Sequence, residues 1–165
     1  MTLALMATVH GQPAPSSTVS LQPSLPSGVA LLSPELRALK PGGRNAADAR
    51  VQPVRVSGQP FPEALQVETL KRPPYPWNIT LFTPATGPMR KGDVLLATVT
   101  ARRIKSRQET GEALIELIVE ESTGEHHKLL ELATSVGPEW TVIRAPFVAD
   151  KDYAAGAAQL SMRFG

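Results

Sequence analysis

No cysteine occurs among the 165 residues, which excludes a disulfide scaffold, a thiolate metal site and a cysteine nucleophile, while leaving the compartment open. Net charge is nearly missing as well. At +2 it gives no reason to expect nucleic acid or an anionic membrane as partner. No apolar run is long enough to cross a bilayer as a helix. The compact motifs of catalysis are also absent: there is no nucleophile elbow, phosphate loop or zinc-binding pattern. The length suits one domain with a real core plus a tail.

What the chain has in quantity is proline, and twelve of its 16 prolines lie in residues 13–76. Ahead of them, MTLALMATVHG carries a short apolar run followed by small residues. Residues 1–11 are therefore expected to be the remnant of a secretory signal, cleaved near Gly11 or Gln12, although the positive n-region is missing. The competing reading is a mildly apolar, disordered start. A signal would make the protein secreted, extracellular or periplasmic. Residues 12–50 read as a Pro/Ser-rich leader containing one short helix at 33–40. Ser33 is a suitable N-cap there, Pro34 suits the first helical position, and Pro41-Gly42-Gly43 ends the helix.

From residue 51 the pattern becomes strand-like. Runs at 51–57, 64–70, 77–83, 93–102, 112–120, 127–134, 139–147 and 157–164 are separated by turn signals such as Lys91-Gly92-Asp93, Glu109-Thr110-Gly111 and Ser122-Thr123-Gly124. Alternation is cleanest in two of them. Ala113, Ile115, Leu117 and Val119 oppose Glu116 and Glu120, and Ala158, Leu160, Met162 and Phe164 oppose Gln159, Ser161 and Arg163. A period of two with one apolar face is the signature of a half-buried antiparallel strand. The expected fold class is all-β: an antiparallel β-sandwich or jelly roll, with one short N-terminal helix and a disordered leader.

Two segments carry a family resemblance. RKGDVLLATVTAR at 90–102 and EWTVIRAPFVADKDYAAGAAQLSMRFG at 139–165 are similar to the galactose-binding-like carbohydrate-binding modules of families 4, 9 and 22. These modules are often appended to secreted xylanases and related glycoside hydrolases. The resemblance covers about residues 51–165 and rests on turns and core positions. It implies a non-catalytic module that binds a polysaccharide or oligosaccharide beside a catalytic domain in the same parent chain. It also implies a further strand after AAQLSMRFG, so the domain is expected to be truncated, with an open edge at its last strand.

The residues themselves offer one candidate sugar site. PPYPWN at 73–78 stiffens Tyr75 and Trp77 with prolines and adds the amide of Asn78. Sugars are held by aromatic faces and planar polar groups, and rigid display lowers the entropy cost. The other reading places Trp77 at one end of the core. Arg102 is added as a ligand-binding candidate at a strand end, as matched family positions imply; the alternative is a solvated loop of offsetting charges. Trp140 and Tyr153 read as core aromatics. No cofactor is expected, but the family sometimes holds a structural calcium, for which Asp150 and Asp152 are the weak candidates. Pairs such as Glu116/Glu120 are the carboxylates a glycosidase needs, yet they also mark the polar face of any ordinary strand. The adjacent His126 and His127 point apart in an extended chain and make a poor metal pair. The function expected is glycan binding that targets an endo-xylanase-like parent enzyme. The alternative is a structural or adhesion domain that packs on a catalytic domain without binding sugar.

Overall fold

The computed structural model describes residues 2–6, as backbone, and 28–164. Ten strands form: β1 (Thr2–Met6), β2 (Lys40–Gly42), β3 (Ala49–Arg55), β4 (Glu63–Thr69), β5 (Thr80–Pro84), β6 (Val94–Lys105), β7 (Ala113–Glu121), β8 (Lys128–Val136), β9 (Thr141–Val148) and β10 (Ala158–Arg163). They make two five-stranded antiparallel sheets, ordered β3-β4-β1-β6-β9 and β2-β5-β10-β7-β8. The two sheets contribute to one apolar cluster. Leu65, Val67, Val99 and Ala101 come from the first, and Leu81, Ile115, Leu117, Leu160 and Met162 from the second. Each large aliphatic side chain fully buried in this way contributes about 1.5–3 kcal/mol. A smaller cluster around Met89, Ala149, Tyr153 and Ala158 closes one end, where Met89 bridges Tyr153 through backbone hydrogen bonds. Tyr153 is thus buried, as expected.

Three expectations are corrected. The sheets are open, ending at β3 and β9 in one and at β2 and β8 in the other; neither closes on itself, so the jelly-roll sandwich is not the architecture observed. The N-terminal helix does not form either. Only a single 3₁₀ turn, Leu36–Ala38, lies in 33–40, because Glu35 and Leu39 are extended and Lys40–Gly42 is drawn into pairing with β5. Ser33 Oγ accepts a hydrogen bond from the Glu35 amide, a local turn instead of a helix cap. Finally, the open edge expected at the last strand is not there. β10 pairs with β5 on one side and β7 on the other.

Among the described residues the two sheets leave four edge strands, and proline explains how three of these are kept from pairing further. Pro41, Pro53 and Pro146 sit in β2, β3 and β9, and each removes a donor from an exposed edge. The eight expected strand runs overlap β3 to β10. β1 and β2 were not foreseen: part of the supposed signal remnant pairs as β1, while residues 7–27, with the first part of the supposed leader, lie outside the described residues. Among the described residues no helix is long and apolar enough to cross a membrane.

Candidate functional site

The outward face of the second sheet is built by register. Ser161 lies between Phe82 and Ile118, Arg163 between Thr80 and Glu116, and Gln159 between Pro84 and Glu120. Alternation directs these side chains away from the shared core, because Leu160, Met162, Leu81, Leu117 and Val119 occupy the other face. A half-exposed face was expected, but the centre of this one is buried. Ile118 is 0% exposed, Ser161 3% and Glu120 6%.

The floor is polar and paired. Arg163 Nη2 donates to Glu120 Oε2 at 3.1 Å, and Gln159 Nε2 donates to Glu120 Oε1 at 3.3 Å. Glu116 stands 3.8 Å from the same guanidinium. The side chains of Arg163 and Glu120 are 10% and 8% exposed, and the Arg163 Nε is buried with no acceptor. A pair so removed from water holds its geometry tightly, since breaking it would strand a charge.

Over this floor lies an open groove of about 350 Å³, lined by Glu120, Gln159, Arg163, Thr80, Phe82, His126 and Trp77. Its wall is set by the proline segment. Tyr75 is extended, Pro76–Asn78 forms one 3₁₀ turn, and the Tyr75 and Trp77 rings stack at 4.7 Å with 5° between planes. Both rings remain about half exposed, at 55% and 52%. Beneath them, Asn78 Nδ2 donates to Asn45 Oδ1 at 2.8 Å, Asn45 Nδ2 donates to Asp48 Oδ2 at 2.9 Å, and the Asn45 amide donates to the Asn78 carbonyl. Gly43 permits this approach. Its φ is +90°, and a Cβ there would stand 2.4 Å from the Asn78 carbonyl oxygen.

The sequence candidates therefore separate. Trp77 lines the groove, and Tyr75 stacks on the Trp77 ring without lining the groove itself. Asn78 is 7% exposed, with its amide committed to Asn45. Asn78-Ile79-Thr80 also has the form of a glycosylation sequon, and the buried amide leaves it without an accessible acceptor. Arg102 belongs to β6 in the other sheet, its guanidinium 5.2 Å from the Trp140 ring centre, with Phe61 edge-on to that ring. Trp140 is half-buried in this cation–π stack and lies outside the main cluster. Sequence reasoning had noticed Gln159 and Arg163 only as polar positions, and Glu120 as one of a pair of carboxylates on an ordinary polar face. Their signal was the matching alternation of two strands, and it becomes a site only once β7 and β10 are known to be neighbours.

Asp150 and Asp152 are each occupied by protein partners. Asp152 Oδ1 accepts the Lys91 amide at 2.8 Å, while Asp150 accepts from Tyr153 Oη at 2.8 Å and contacts His127 Nε2 at 2.6 Å. The hydrogen bond from Tyr153, and next that with His127, hold the Asp150 carboxyl below its ordinary value. Burial, and then the bond to Asp150, push the Tyr153 phenol up. His126 turns aside at φ 53°, its Nδ1 3.0 Å from the Glu121 carbonyl. Among the described residues no group of three or more histidines or carboxylates is placed to hold a metal ion.

No family model and no curated protein matches this chain. Among solved structures, one described as "CBM4 structure and function" matches with a TM-score of 0.46 and 11% identity, covering 55% of this chain and 63% of that one. What the comparisons give is a remote structural similarity between this all-β chain and a carbohydrate-binding module.

Proposed function

We propose that this chain is a non-catalytic glycan-binding domain whose site is the groove between the Tyr75–Trp77 stack and the Glu120–Gln159–Arg163 floor. The observation that carries the reading is the stacked, half-exposed aromatic pair standing beside that floor. A pyranose lays its C–H face on an aromatic ring and offers hydroxyl pairs to planar polar groups, and this wall and floor present both. The volume falls within the range of about 300–1,000 Å³ usual for small-ligand sites. The groove is open, which suits a segment of a longer chain. Tyr75 backs Trp77, so little ring freedom is left to lose on binding.

The role that follows is targeting. Held on a polysaccharide, the domain would raise the local substrate concentration of a catalytic domain in the same secreted parent chain. Affinity electrophoresis through xylan, β-glucan and cellulose derivatives tests this. Retardation of the wild type in at least one glycan, abolished by Trp77→Ala, is the expected result. Wild-type mobility unchanged in every gel would instead favour a domain that packs on a neighbour through the exposed Tyr75–Trp77 surface.

A further inference from the structure

We propose that the cleft between β4 and β6 is a strand-acceptor site, and that it takes Thr2–Met6 from a second copy of this chain as well as from its own. β4 and β6 do not pair with each other; β1 alone joins β3-β4 to β6-β9 in that sheet. Its register sets Leu3 against Val67, and Leu5 against Leu65 and Ala101. Those three acceptor residues are core side chains, with exposures of 2%, 6% and 0%. Left empty, the cleft would present two unpaired backbone edges above that core, which is a demand for a strand.

Every backbone pair that β1 makes in this sheet is with residues at least 60 positions away (Leu5 opposite Leu65 being the nearest), so the same pairs form whichever copy supplies the strand. Exchange of an identical element changes no contact and costs little. Residues 7–27 separate the strand from the rest of the described chain and can reach at most roughly 70 Å. A donor strand linked to its own cleft meets it at an effective concentration on the order of millimolar. Pairing within one chain therefore dominates in dilute solution. Exchange between two chains, reciprocal and two-fold, emerges as the protein concentration approaches that range.

The absence of cysteine makes the test clean. Ala4 lies directly opposite Gln66, at a separation a disulfide can bridge. A full-length Ala4→Cys chain and a full-length Gln66→Cys chain are unfolded together, refolded at ~1 mM, oxidised and run on a non-reducing gel. The expected product is a covalent heterodimer, several-fold above the yield from Ala4→Cys mixed with Arg107→Cys. The double variant Ala4→Cys/Gln66→Cys, oxidised at micromolar concentration, is expected to close within one chain and run as a monomer. A heterodimer yield no greater than the control overturns the proposal. So does a double variant that fails to close, because β1 would then not occupy the cleft. Neither result touches the glycan reading, which rests on the other sheet.

Discussion

Glu120→Ala should be among the most damaging single substitutions in the groove. The Glu120 carboxylate is 3.1 Å from Arg163 and Glu116 is 3.8 Å away. With an effective dielectric of about 20, these separations correspond to gross attractions of about 5 and about 4 kcal/mol. Removing Glu120 also relieves the cost of burying it, so the net loss is smaller than the gross figure. Removal of one partner of a buried pair costs about 3–5 kcal/mol. Glu116 keeps part of the attraction, which places the expected loss near 3 kcal/mol, or roughly 6–12 °C in Tm for a chain of this size. Replacing both members by apolar side chains, Glu120→Leu with Arg163→Met, should recover part of that stability, because the buried pair leaves no charge behind and Glu116, 22% exposed, keeps contact with water. The assay is urea unfolding followed by circular dichroism, comparing both variants with the wild type. A loss below about 1 kcal/mol for Glu120→Ala, or a double variant less stable than the single, would refute the buried-pair account of the floor.

Other substitutions separate the groove from its surroundings. Trp77→Ala should abolish glycan retardation while lowering stability by no more than about 1 kcal/mol, because the ring is half exposed; urea midpoints check the second part. Gly43→Ala should cost more than about 2 kcal/mol and weaken glycan binding together with stability, since its Cβ would drive into the Asn78 carbonyl beneath Trp77; thermal melts and affinity gels read the two effects. Arg102→Ala should leave glycan retardation unchanged and lower the melting temperature, because its guanidinium braces Trp140 in the opposite sheet. Acid should loosen the end closed by Tyr153. The folded pKa of Asp150 is depressed from 3.8, so its contribution is fully present above that value and is lost as pH falls through the lower folded one. Asp150→Asn should therefore flatten the acid limb of a plot of urea midpoint against pH between 6 and 2, and an unchanged slope would count against the network.

The strands were legible because a half-buried strand writes its period into the sequence, as 113–119 and 158–164 do. The aromatic wall was legible for a similar reason: prolines around Tyr75 and Trp77 announce a stiff segment wherever it lands. The floor was not. Glu120, Gln159 and Arg163 are ordinary polar positions until sheet order sets β10 beside β7, and that order depends on contacts some 40 residues apart. The helix expected at 33–40 failed for a related reason. Its local cues were sound, but pairing of Lys40–Gly42 with β5 and packing of Leu32 and Leu36 on the core outweighed them. β1 was hidden because four apolar residues, Leu3–Met6, read equally well as a leader or a buried strand. Arg102 looked like a ligand contact at a strand end, and the partner that occupies it, Trp140, is cross-strand and invisible to local reading.

The central claim is that glycan binds on the Trp77 side of the molecule. The two indoles make natural reporters, since Trp77 borders the groove of one sheet and Trp140 stacks under Arg102 by the other. Titration of ¹⁵N-labelled protein with a xylo- or gluco-oligosaccharide is the direct measurement. The account predicts saturable shifts of the Trp77 indole and of amides along 118–120 and 159–163, with the Trp140 indole unmoved. Shifts centred on Trp140, or none with any glycan that retards the protein in a gel, would contradict it.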